Sequence, residues 1–183
     1  MTGDAAQVAE FSRPIAVEQI GPQETVRSIA ANVAERQHLA ERFGLLGLDR
    51  LEATVRLRRG HAGLILADGH FEADATQACV VTLEPVPARL ALDFAMTFGT
   101  PTVHGGAVVV GLDEEDPPEE IVNGRIDLGE AVAQQLAIAL DPYPRSPAAQ
   151  ASAEGAADDD GSSEPASTRP FAALNAWRRP QGE

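Results

Sequence analysis

A single cysteine, four histidines and one dense run of carboxylates are the residues of this 183-residue chain whose types could carry chemistry. A catalytic Cys79 needs a base and an electropositive setting to lower its pKa. His38, His61, His70 and His104 are the available bases, and none lies in a recognisable nucleophile motif. Cys79-Val80-Val81-Thr82 supplies only the first half of a C-x-x-C arrangement, short of the four ligands a closed zinc site takes. Residues 113–120 (DEEDPPEE) bring six carboxylates together, without the spacing or the glycine of an EF-hand loop. Like charges so crowded repel and stay hydrated, so the reading is a solvated acidic loop. His104-Gly105-Gly106 is not a phosphate loop, and neither a Walker motif nor H-E-x-x-H occurs. No catalytic residue, metal ligand or cofactor is assigned, and a non-enzyme is expected.

Binding chemistry is better represented. In the expected strand LEATVRLRR, Leu51, Ala53, Val55 and Leu57 point inward while Arg56 and Arg58 face outward with the preceding Arg50, and Arg59 at the strand's end joins them in a compact basic patch. Such a row either discourages edge pairing or offers a dock for phosphate. Net charge argues against phosphate over the chain as a whole. It is -14, with no lysine, and suits solubility and basic partners. Apolar residues make up 44% and aromatics only 4%, so the core must rest on Val, Leu, Ile and Ala. No run is long enough to span a bilayer, and the N-terminus has no signal-like pattern; the cytoplasm is expected.

The positioning elements follow from periodicity. Residues 11–20 alternate loosely, with Pro14 confining them to an edge. From 23 to 43, Val26, Ile29, Ala30, Val33, Ala40 and Phe43 fall on one stripe, which predicts a helix ended by Gly44 in αL geometry, its arginines matched by acids within a turn. After LEATVRLRR, residues 59–62 form a hairpin turn into 63–67. A central strand over 71–86 then becomes buried on both faces, with Cys79 packed in the core, and Pro85 and Pro87 stop it. Residues 89–98 show the clearest alternation in the chain, and 107–112 add a further strand. Asn123-Gly124 is a turn signal. Asp127 caps a second helix, with Glu130 completing a capping-box-like pair, and Asp141-Pro142 ends it. Residues 146–168 are too poor in bulky apolar groups to offset their ordering entropy and are expected to be disordered. Beyond them, Phe171, Leu174 and Trp177 recur at helical spacing among arginines, as in a docking peptide on a tether.

The helix ending ERQHLAERFGL, then ADATQACVVTLEPV, IDLGEAVAQQLAIALDPYP and RPFAAL, in that order, resemble the YceD family over about residues 10 to 178, linker excluded. The family consists of bacterial proteins and plant organelle relatives associated with accumulation of large-subunit ribosomal RNA; CVVTLEPV resembles its alphaproteobacterial branch. Cys79, Leu83, Glu84, Pro85, Asp127, Leu128, Pro170 and Phe171 carry the resemblance. Many relatives have C-x-x-C where this chain ends in Thr82, and some add a His or Cys after the second helix, where this chain reads YPRSPAAQ. A metal role therefore does not transfer.

The expectation is an α+β domain over 10–145: a curved antiparallel sheet, open or partly closed into a barrel, packed by two helices. Residues 1–9 and the 146–168 linker flank it, and 169–183 form a short C-terminal motif. The resemblance implies a ribosome-biogenesis factor. Its acidity favours a basic large-subunit ribosomal protein as partner, met by Glu119, Glu120, Asp127 and Glu130 with Phe171, Leu174 and Trp177 as a second contact. Direct ribosomal RNA binding through Arg50, Arg56, Arg58 and Arg59 is the alternative.

Overall fold

The computed structural model describes residues 10–99 and 117–151. It divides the chain into two units, Met1–Ser146 and Pro147–Glu183. In the first, β1 (Pro14–Ala16) pairs antiparallel with β7 (Arg125–Asp127) in a two-stranded sheet. The larger sheet has the order β2 (Thr25–Ala30), β3 (Gly47–Arg59), β4 (Ile65–Ala78), β5 (Pro85–Gly99), β6 (Glu119–Glu120). Its pairings are antiparallel except β5 with β6. The class is α+β, as expected, and the described strands form an open sheet rather than a closed barrel. Helix α1 (Val33–Phe43) follows β2, and α2 (Leu128–Ala139) follows β7.

The alternation in β3 is realised: Leu51, Ala53, Val55 and Leu57 are buried, while Glu52, Thr54, Arg56 and Arg58 face solvent. Cross-strand partners on the same face, among them Ala67, Phe71 and Ala73 of β4, continue the core. Phe11, Ile15, Ile20, Leu39, Ile126, Leu128, Val132 and Leu136 join it from the remaining elements. Burial of each large side chain contributes roughly 1.5–3 kcal/mol.

Several boundaries differ from those the periodicity predicts. The helix expected over 23–43 starts only at Val33; residues 25–30 are β2, paired with β3 from Thr25↔Leu57 to Ala30↔Glu52. Asn32 accepts from the Glu35 N–H and the Glu35 carboxylate takes the Asn32 N–H, a capping box that sets the helix start. Val26, Ile29 and Ala30 do fit helical spacing, but in β2 Val26 and Ile29 fall on opposite faces and Val26 is left exposed; pairing with β3 overrides the local pattern. Gly44 does end the helix, at φ 64°. The alternation at 11–20 yields only β1, then a 3-10 turn at Val17–Gln19.

Residues 65–78 are one strand, not two. Gly69 lies inside β4 because the Phe94 ring rests on it: a Cβ there would come within 2.2 Å of a ring carbon. The strand also ends earlier than expected, at Ala78. Residues 79–84 turn back, Pro85 opens β5 opposite Ala78, and Val80, Val81 and Leu83 are exposed instead of buried. Proline is tolerated there because the β5 edge along residues 85–97 has no further partner among the described residues, so no ladder N–H is missed.

The last part of the acidic run is β6, where Glu119 and Glu120 pair parallel with Phe98 and Gly99. Asn123 and Gly124, both at positive φ, make the expected turn. Residues 147–151 are helical, at the start of the expected linker; proline at a first helical position followed by alanines suits that start. The expected strand at 107–112, the rest of the linker and the C-terminal motif lie outside the described residues, as does residue 104.

Candidate functional site

Three groupings collect the residues singled out above. The first is the 79–84 turn. Cys79 is fully buried, but in the turn rather than within a strand, where it organises local hydrogen bonds. Its Sγ accepts from the N–H groups of Val81 at 3.4 Å, Thr82 at 3.4 Å and Ser146 at 3.3 Å. Burial pushes the thiol pKa up, yet the Thr82 side chain and these N–H groups outweigh it and bring the thiol down to about 6. The Cys79 N–H donates to the Glu84 carbonyl at 2.8 Å and the Leu83 N–H to the Cys79 carbonyl at 2.9 Å. Val80 N–H reaches the Pro144 carbonyl at 2.9 Å, and the hydroxyls of Thr82 and Ser146 stand 3.3 Å apart. Among the described residues no group of three or more His, Cys, Asp and Glu side chains could hold a metal ion.

The second grouping is acidic. Glu119, Glu120, Asp127 and Glu130 line one depression of about 350 Å³ with Pro14, Phe98 and one base, Arg125. Folding brings together carboxylates from β6, the end of β7 and the first turn of α2. Two of them are engaged internally. Asp127 caps α2 through the N–H groups of Gly129 and Glu130, and also accepts from the Arg13 N–H at 2.7 Å. Glu130 does not complete a capping box; it takes a two-pronged ion pair from Arg42, at 2.9 and 2.8 Å, whose guanidinium also reaches Glu10 at 3.0 Å. Arg42 therefore finds its acids across the fold, not within its own turn, and is held protonated beyond its ordinary range by Glu130. Glu119 and Glu120 are exposed and form no ion pair among the described residues.

The third is the solvent face of the large sheet. Arg50 pairs with Glu72 at 2.6 Å and Asp74 at 3.0 Å, and Arg58 with Asp68 at 3.1 Å. Arg59 donates to the carbonyls of Ile20 at 2.7 Å and Val17 at 2.9 Å. Of the four arginines, Arg56 alone has no such partner among the described residues. It lines a depression of about 490 Å³ with Thr54, Asp68, His70 and Asp93, in which His70 Nδ1 stands 2.7 Å from Asp93. His70 and Cys79 lie on separate features of β4 and its turn, and His38 is exposed on α1.

Several pairings had no sequence signal at all. Arg13 spans 22 residues to grip Glu35 at 2.7 and 2.9 Å, and Arg42 spans 88 to reach Glu130. Cross-strand register exposes the His70–Asp93 pair only once β4 and β5 are aligned.

Fold and surfaces define an acidic α+β domain with an open sheet, one carboxylate-lined depression and one tightly bonded apolar turn. Residues 67–176 match the family model described as Large ribosomal RNA subunit accumulation protein YceD, and the chain belongs to the YceD family. The match takes in β4 from its third residue, the 79–84 turn, β5, β6, β7 and α2, and ends at residue 176, just before Trp177. No curated protein and no solved structure matches the chain. No helix among the described residues is long and apolar enough to cross a membrane.

Proposed function

We propose that this protein supports accumulation of large-subunit ribosomal RNA in the cytoplasm as a non-enzymatic binding protein, and that it holds a basic ribosomal protein. The observation that carries the reading is the convergence of Glu119, Glu120, Asp127 and Glu130 on one depression, against an arginine face largely neutralised by its own acids. Glu119 and Glu120 supply the available charge; Asp127 and Glu130 shape the rim. Cationic side chains gain from such a surface, and phosphates are repelled by it. Phe171, Leu174 and Trp177 serve as the second anchor.

The test is binding of purified full-length protein to RNA-free proteins of the large subunit and, separately, to large-subunit ribosomal RNA. Glu119→Lys with Glu120→Lys is expected to abolish protein capture. Unchanged capture would overturn the acidic-site reading. Binding to RNA that falls steeply with salt and depends on Arg50, Arg56, Arg58 and Arg59 would instead establish the alternative.

A further inference from the structure

The 79–84 turn spends bulky apolar side chains on solvent. Val80, Val81 and Leu83 are 48%, 61% and 76% exposed, and Tyr143, on the segment bonded to the turn through Pro144, is 72% exposed. Leu83 also sits at φ 62°, a left-handed conformation that costs a branched L-residue energy and that glycine would adopt freely. A turn needing only to reverse the chain would gain by having glycine there. The side chain is nonetheless held out on a rigid frame: three N–H groups on Cys79 Sγ, the Cys79–Glu84 and Leu83–Cys79 backbone bonds, and the Thr82 hydroxyl on Glu84 at 3.0 Å. Strain kept in an otherwise over-determined segment, together with exposed apolar area, marks a recognition surface.

We propose that Val80, Val81, Leu83 and Tyr143 form a preorganised knob that inserts into an apolar groove flanked by cationic side chains on a large-subunit ribosomal protein. This rests on the protein-binding reading above and adds to it a further apolar contact, distinct from Phe171, Leu174 and Trp177. The charge around the knob selects the occupant. Residues 79–84 contain no base and one acid, Glu84; on the adjoining segment Asp141 precedes Tyr143 and Arg145 follows it, so acids outnumber bases around the knob two to one. Phosphate-rich RNA and anionic lipid both require cations at the contact, whereas a basic protein is complemented by carboxylates at the rim. Rigidity lowers the entropy lost on docking, which is how a few side chains come to dominate an interface.

The experiment uses the full chain and RNA-free proteins extracted from purified large subunits. Leu83→Gly removes the side chain while relieving the backbone, so it is expected to keep or raise thermal stability. It is expected to weaken binding at least tenfold, as is Val81→Asp. A photoreactive phenylalanine derivative replacing Val81 is expected to cross-link one basic protein of the mixture. Wild-type binding by both variants would overturn the knob, as would cross-links only to a second copy of the chain or to added ribosomal RNA. If the variants bind normally while Glu119→Lys with Glu120→Lys does not, only the knob fails. If the wild-type chain captures nothing, the protein-binding reading fails with it.

Discussion

Replacing Asp127 with alanine removes one side chain that serves four donors. Its Oδ1 accepts from the N–H groups of Arg13 (2.7 Å), Gly129 (3.0 Å) and Glu130 (3.3 Å), and its Oδ2 accepts from the Ser12 hydroxyl. Loss of the helix cap costs about 1 kcal/mol. Stranding the part-buried Arg13 N–H adds roughly 1–3 kcal/mol. The total is about 2–4 kcal/mol for Asp127→Ala. The Asp127→Asn variant is different, because an amide oxygen in the Oδ1 position keeps all three N–H bonds. It forfeits mainly the negative charge at the start of α2, worth roughly 0.3–1 kcal/mol. Urea unfolding at fixed pH and salt measures both, provided the m-value is unchanged. Equal losses for the two variants, or an alanine cost below about 1 kcal/mol, would refute this division of labour. In the binding assay Asp127→Asn is expected to act far more weakly than Glu119→Lys, since its carboxylate is already committed to the fold.

Gly129→Ala places a Cβ 2.2 Å from the Phe11 carbonyl oxygen and 2.8 Å from its carbon. Backbone cannot yield as a side-chain tip can, so a loss of about 3 kcal/mol or more is expected in the same unfolding assay. The Arg13 guanidinium holds the Glu35 carboxyl below its ordinary 4.5, against the opposing effect of burial. A carboxylate with a depressed folded pKa contributes stability above its unfolded value and loses it as pH falls through the folded one. Glu35→Gln should therefore flatten the pH–stability curve below about pH 4.5; an unchanged acid limb would count against the pair. Cys79 should titrate near pH 6, read by ultraviolet thiolate absorbance. Its contribution to stability, complete above the unfolded thiol value of 9.0, should decline as pH falls towards 6, and Cys79→Ala should remove that dependence. A thiol titrating near the unfolded value of 9.0 would contradict the bonding around Sγ.

Local chemistry made much of the frame legible. The period-two runs of β3 and β5, the Asn123-Gly124 turn, the αL glycine at 44 and the Asp127 cap all follow from forces acting within a few residues. Each is readable without knowing its neighbours. Misreadings arise where tertiary pairing overrides a local pattern, as for residues 25–30, whose apolar spacing suits a helix but which pair with β3 and leave Val26 exposed. The capping box at Asn32 and Glu35 is the local signal that separates strand from helix.

Residues 79–84 show most plainly what the sequence could not supply. Val80, Val81 and Leu83 read as interior because apolar residues usually are, but burial depends on what lies above a segment, and nothing local specifies that. Likewise the arginines of β3 form a basic row in the sequence until β4 brings Glu72, Asp74 and Asp68 beside them. Composition and motif order determined the acidic character, the α+β class and the family. Which charges remain available to a partner, and which apolar side chains stand outside the core, only the tertiary structure decided, because charge neutralisation and burial are set by groups far apart in the chain.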